Sequence, residues 1–323
     1  MNLSNQTLRE QIAALPGLRM WQQEIDRLFP VEGDVVRLDW QLPAIGCQSL
    51  GADPKIAIPA MAALACTQIS IILVDDMLDE EPDGEYRRMG AGRAANLALA
   101  LQSAAMVLVD QCPVSPAQRS AAARCLAQMC LDTAAGQELD VSNLEGEENY
   151  WKVVQAKSTP FYGAGLQLGA ILGGGDQETV QQFYKLGVIF GEAIQIYDDL
   201  EDAFKSPANP DWLQGRNNLV LLYGLTAEYP EREQFEKLRL QARDPVALEK
   251  AQQILIRSGA VSYCVHQIVQ RHQQVQALIS ELSFFHSQPI LNLLTEQIAP
   301  VRALLNRLGM QMPFKFDMMG ASE

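Results

Sequence analysis

A chain of 323 residues, 48% of them apolar, has enough material for one large core or two modest ones. Acidic residues outnumber basic ones 39 to 25, a formal net charge of −14, with no basic run to offset it. That balance argues against nucleic-acid binding and against electrostatic docking on anionic lipid. The cysteines, Cys47, Cys66, Cys112, Cys125, Cys130 and Cys264, show no CxxC spacing, and His266, His272 and His286 share one C-terminal stretch. A zinc site is therefore not expected, and the thiols read as buried and free in a cytoplasmic protein.

Helix formers dominate and apolar residues recur with period 3.6, so the predicted class is all-α. The start, MNLSNQTLREQIAALPG, lacks a charged opening followed by an apolar core, and no secretory signal is expected. Leu3 to Leu28 reads as a helix broken at Pro16, followed by a loop containing Pro30, Gly33 and Pro43. From Pro54 a long helix follows, apolar nearly all round, as suits a helix surrounded by others. Its stretch Ile56–Val74 approaches membrane-span length. It contains Pro59, Thr67, Gln68 and Ser70 and runs into Asp75 and Asp76, so a buried core helix is predicted and no integral membrane segment. Turn chemistry at Glu81–Gly84 precedes two Ala-rich helices, Ala94–Val109 and Pro116–Leu139. A helix over Tyr150–Leu172 ends at three glycines, and Asp176 caps the next, Gln177–Ala203. After the breaker-rich Lys205–Gly215, helices are predicted over Asn218–Ala227, Pro245–Arg257, Val261–Phe284 and Pro289–Leu308, then an irregular tail at 309–323. No long linker interrupts this order, so residues 1–323 read as a single helical domain.

Two stretches repeat one device. Ile71–Gly90 contains Asp75, Asp76 and Asp79, and Gly191–Asp202 contains Asp198, Asp199 and Asp202, each at the C-terminal end of an apolar helical run. Residues four apart stand one above the other on a helix, so Asp75 pairs with Asp79 and Asp198 with Asp202. The macrodipole disfavours carboxylates at that end, so a purely structural role explains the placement poorly. Mg²⁺ is held by one or two carboxylates together with substrate phosphates. Two such sets predict carboxylate walls bridging metal ions and a diphosphate. Arg87, Arg88, Lys157, Lys205 and Arg216 supply cations suited to phosphate oxygens, and Gln195 stands one turn before Asp198.

The order DDxxD, Arg-Arg, GQxxD, Lys-Ser, GxxxQxxDDxxD resembles the trans-isoprenyl diphosphate synthases of the polyprenyl synthetase family, over roughly residues 50–225. The resemblance implies a bundle of long helices around a central cavity, a trinuclear Mg²⁺ cluster and a homodimer. It implies Asp75, Asp79 and Asp198 as direct metal ligands, with Asp76, Asp199 and Asp202 acting through metal-bound water or orienting the site. Arg87 and Lys157 would grip an allylic isoprenyl diphosphate, Arg216 would stand where the family has lysine, and Gln195 would stabilise the cationic intermediate. Ser70 and Ile71, with Thr67 and Ala63 further down the face, would line the floor of the chain tunnel. Their small size predicts a product of C20 or longer.

One stretch departs from the family pattern. A GGKxxRP segment should bind the diphosphate of isopentenyl diphosphate, and this chain has Asp34-Val35-Val36-Arg37-Leu38-Asp39-Trp40 there. Val36 replaces the lysine and Asp39 the arginine. Gln68 stands where the family has His or Gln, and Arg88 would serve the same subsite. Three readings stay open: condensation with isopentenyl diphosphate, using Arg37 or Lys55 instead, or with a different acceptor; cyclisation or lysis of an allylic diphosphate alone; and a non-catalytic subunit of a hetero-oligomeric synthase.

Overall fold

The computed structural model describes residues 4–29, 36–282 and 286–311. Sixteen α-helices occur among them, joined by short 3₁₀ turns and with no β-strand. They are α1 (Asn5–Ala13), α2 (Gln22–Leu28), α3 (Leu42–Ser49), α4 (Ile58–Leu78), α5 (Glu85–Met89), α6 (Ala91–Asp110), α7 (Pro116–Val141) and α8 (Glu147–Val153). After a π-helical segment, Val154–Ser158, come α9 (Thr159–Leu172), α10 (Gln177–Ala203), α11 (Pro210–Gln214) and α12 (Leu219–Thr226). The last four are α13 (Arg232–Arg239), α14 (Pro245–Ser258), α15 (Ala260–Glu281) and α16 (Gln288–Arg307). The chain divides into two compact units, Met1–Gln195 with Arg271–Leu291, and Ile196–Gln270 with Asn292–Glu323, the divisions falling within α10, α15 and α16.

In the first unit α4 is the core helix. Every residue from Ala60 to Thr67 is buried, because small and apolar side chains surround the whole circumference. α4 packs chiefly on α6 and also on α1, while α3 lies on α9 and α7 on α9 and the π segment. By length and composition α4 and α6 could each cross a membrane, but 67% of the apolar window on α4 is buried within the fold. The α3–α9 contact is close enough that a Cβ at Gly169 would sit 2.4 Å from the Pro43 carbonyl oxygen. The second unit centres on Trp212 and Phe235, packed edge to face at 6.1 Å, with α13 and α12 against α14.

Most predicted elements are present. Asp176 accepts from the Thr179 N–H at 2.8 Å, and the first helix breaks at Pro16 into a 3₁₀ turn. The loop expected around Pro43 is instead α3: Pro43 sits in its first turn, where the missing N–H has no helical partner to lose. The Lys205–Gly215 loop likewise contains α11, begun by Pro210. Of the predicted tail, residues 312–323 lie outside the described residues, as do Asp34, Val35 and Phe284.

Candidate active site

In the first unit α4 ends at Leu78, and Asp79 is its C-cap. The Asp79 N–H reaches the Asp75 carbonyl at 2.8 Å and the Glu81 N–H the Asp76 carbonyl at 2.9 Å, so the last turn keeps the carboxylates at helical spacing. Burial raises the Asp76 carboxyl to about 6, and the neighbouring Asp75, Glu81 and Asp79 charges add to it. The local field is strongly negative. Arg87, on α5, curls back to the turn: its guanidinium donates to the carbonyls of Glu80 at 3.0 Å and Glu81 at 3.4 Å and lies 4.9 Å over the Tyr86 ring. Arg88 pairs with Glu85 on the same short helix.

Lys157 is presented by the π segment. A π turn inserts a residue into the helical register, and such bulges are frequent at functional sites. Its backbone lies against Gly136 of α7, where a Cβ would stand 2.2 Å from the Ala156 carbonyl carbon and 2.3 Å from the Lys157 nitrogen. From there the Lys157 ammonium bridges two helices, meeting Asp75 Oδ1 at 2.8 Å and Asp140 Oδ2 at 2.6 Å. Burial works against this charge, but Asp75 and then Asp140 more than offset it, and the ammonium is held above its ordinary range. The adjacent Ser158 hydroxyl donates to Gln195 Oε1 at 2.7 Å. Gln137, buried, approaches the Ile71 carbonyl at 3.5 Å. Thr67 and Ser70 are fully buried; Thr67 donates to the Ala63 carbonyl at 2.9 Å, whereas the Ser70 hydroxyl has no hydrogen-bond partner.

Of the stretch that departs from the family pattern, the described residues 36–40 form a hydrogen-bonded network with Gln41 and Gln68. Val36 is buried at 2% exposure and its carbonyl accepts from Gln41. Arg37 pairs with Asp39 at 3.0 Å and lies 5.6 Å over the Trp40 ring. Gln68 donates to Asp39 at 2.7 Å and accepts from the Trp40 indole. Asp39 thus holds Arg37 and Gln68 together.

In the second unit the aspartates of α10 are used differently. Asp202 pairs with Lys205. Asp199, only 4% exposed, accepts the Leu219 N–H on Oδ2 at 2.7 Å, while its carbonyl accepts from Asn218 at 2.9 Å. Asn218 caps α12 by accepting from Val220 and Leu221. Asp199 therefore fixes where α12 begins. Arg216 donates to Gln214 at 3.1 Å.

Among the described residues no three His, Cys, Asp or Glu side chains are gathered to hold a metal ion. The donor set nonetheless fits Mg²⁺. It is all oxygen, Asp75 already binds a cationic ammonium, and Mg²⁺ needs only one or two carboxylates when phosphates complete its shell.

This architecture is shared with solved structures. Geranylgeranyl pyrophosphate synthetase from Pyrococcus horikoshii superposes with a TM-score of 0.78 at 18% identity, over 92% of this chain and 95% of that one. The fold is that of the class I isoprenoid synthases. The family model for polyprenyl synthetase matches residues 42–255, and the chain belongs to the polyprenyl synthetase family. Among curated relatives, geranylgeranyl pyrophosphate synthase of Geoglobus acetivorans is 28% identical over 244 residues, 70% of this chain and 74% of that protein. The short chain isoprenyl diphosphate synthase of Methanothermobacter thermautotrophicus is 25% identical over 280 residues, 81% of this chain and 84% of that protein.

Sequence reasoning singled out the aspartates, Lys157 and Gln195 as candidates but gave no role to Gly136, Asp140 or Asn218. Their signal was present in the GQELD run, Gly136–Asp140, and in an Asn directly before an apolar helix.

Proposed function

We propose that this transferase condenses an allylic isoprenyl diphosphate with isopentenyl diphosphate to give a trans-prenyl diphosphate of C20 or longer. One observation carries the reading: Lys157 meets Asp75 of the DDxxD set and Asp140 of GQxxD, and the next residue, Ser158, holds Gln195. Bound Mg²⁺, in the proposal three ions, would stabilise the diphosphate leaving group as its charge grows. Asp75, Asp79 and Asp198 would be its ligands, with Asp76 and Asp202 in support and Asp199 keeping α12 in place. Lys157, Arg87, Lys205 and Arg216 would bind phosphate oxygens, and Arg88 the second diphosphate. The bond from allylic C1 to oxygen breaks, C1 joins the isopentenyl double bond, and the departing diphosphate takes the proton lost from the adjacent carbon. Gln195, oriented by Ser158, would face the allylic cation with its amide oxygen. Thr67, Ser70 and Ile71 would shape the channel for the growing chain. We further propose that the chain acts as one catalytic domain, as a homodimer and in the cytoplasm.

The second reading, cyclisation or lysis of an allylic diphosphate alone, is favoured by the Arg37–Asp39–Gln68 network, which uses the cation of the acceptor stretch internally. Product analysis with Mg²⁺ and farnesyl diphosphate, with and without isopentenyl diphosphate, separates the two. Longer prenyl diphosphates that form only with isopentenyl diphosphate support the transferase. Hydrocarbon or terpene alcohol formed without it overturns the transferase in favour of the second reading.

A further inference from the structure

Lys157 and Asp75 pair directly within the protein. The ammonium sits 2.8 Å from Asp75 Oδ1, and that carboxylate stands at the end of an apolar helix, where the macrodipole offers it no support. Lys157 is therefore a counter-ion of Asp75 within the first acidic set. A divalent cation taking Asp75 competes with the ammonium, because two cations drawn to one carboxylate repel each other. The ammonium has a second anchor, since Asp140 Oδ2 lies 2.6 Å from the same nitrogen. Asp140 belongs to a different helix, α7, whose Gly136 packs directly on the backbone of Lys157. The anchor and the backbone support of Lys157 thus come from one helix, four residues apart.

We propose that Asp140 is a positioning residue: it retains the Lys157 ammonium at the site while Asp75 is handed from Lys157 to a divalent cation. The proposal rests on the reading of Asp75 as a metal ligand given above. Without Asp140 the ammonium would have Asp75 as its one carboxylate partner and would compete harder with the metal. Without Lys157 the competition would vanish. The two removals should therefore move metal affinity in opposite directions. A role for Asp140 as a mere additional negative charge, or as a ligand itself, predicts instead that its loss weakens binding whether or not Lys157 is present.

The test is a Mn²⁺ titration of the full chain without substrate, read by the electron paramagnetic resonance signal of free Mn²⁺. D140N should weaken binding about tenfold, K157Q should tighten it by several-fold, and D140N/K157Q should match K157Q within about twofold. D140E should restore most of the wild-type affinity, and circular dichroism checks that each variant is folded. An equal loss from D140N in both backgrounds would overturn the proposal. So would weaker Mn²⁺ binding in K157Q than in wild type, or no Mn²⁺ binding by either at millimolar concentration. D75N tells this failure from failure of the underlying reading. If D75N leaves Mn²⁺ binding unchanged, Asp75 is not a metal ligand, and the metal assignment falls with the proposal. If D75N removes binding while the double variant behaves additively, the exchange role of Asp140 alone falls.

Discussion

Gly136→Ala is the sharpest probe of how the site is built. Alanine is the better helix former, so at an open position the change should stabilise α7 by about 0.8–1.0 kcal/mol. Here the new Cβ would lie 2.2 Å from the Ala156 carbonyl carbon, 2.3 Å from the Lys157 nitrogen and 2.4 Å from the Ala156 oxygen, all backbone atoms that no rotamer change relieves. Reaching ordinary contact at 3.4 Å requires α7 and the π segment to separate locally by about 1.2 Å, from 2.2 to 3.4 Å. Overpacking of that kind costs about 1–3 kcal/mol, which cancels the propensity gain and leaves a net loss of up to ~2 kcal/mol. The catalytic consequence should be larger. The same displacement carries Lys157 away from Asp75 and Asp140, and a misplacement of about 1 Å can lower turnover about a hundredfold. Urea unfolding and steady-state release of diphosphate measure the two effects. Gly92→Ala, on α6 with nothing within 4 Å of the new methyl, is the control and should leave both unchanged or slightly improved. Wild-type turnover and stability in Gly136→Ala would refute the claim that this contact places Lys157.

Three further outcomes follow from particular contacts. Asp199→Ala should lower stability by about 1–3 kcal/mol in urea, because the buried Leu219 N–H loses a charged acceptor, whereas Asp198→Ala, exposed, should act on turnover with little effect on unfolding. Asp39→Asn should lower the KM for isopentenyl diphosphate by up to about fivefold, since Arg37, partly exposed, is then released from a pair of about 0.2–1 kcal/mol; an unchanged KM would show that Arg37 does not reach that substrate. Ser70→Phe should shorten the product, read by chromatography of the dephosphorylated alcohols; an unchanged product would remove α4 from the wall of the chain tunnel.

Much of this was legible in the sequence because the signals are local. Apolar periodicity marked α4, α6, α7 and α10, and the paired DDxxD runs marked the carboxylates without any tertiary information. What escaped depends on neighbours far along the chain. Whether Pro43 breaks or begins a helix depends on the residues after it packing on α9, and the Gly169 contact that permits this is over a hundred positions away. A π turn has no distinctive composition: VQAKS reads as ordinary helix, and the extra residue is stabilised by the space that Gly136 leaves. Asp199 shows the same limit within a motif. Its spacing matches that of Asp76, yet Asp199 is buried as the acceptor for the start of α12, while Asp76 stays partly exposed beside other carboxylates. Identical motif positions have different neighbours, and only the fold separates them.

The charge pattern explains how a chain with a net charge of −14 can serve an anionic substrate. Lys157, Arg88, Lys205 and Arg37 each face a carboxylate within this protein: Asp75 with Asp140, Glu85, Asp202 and Asp39. Most of these groups are partly exposed, so each pair is weak and exchanges readily with solvent ions. A diphosphate entering alone would have to take cations from carboxylates that remain behind, and the uncovered negative charge would oppose it. In the proposed reaction a divalent cation entering with the diphosphate would change the balance, since carboxylates would take the metal as ammonium and guanidinium groups take phosphate. Each carboxylate and each cation would then keep an oppositely charged partner while the partners change. On the proposed function the acidic excess would make diphosphate binding conditional on metal, and the paired cations would offset part of the carboxylate charge within the protein.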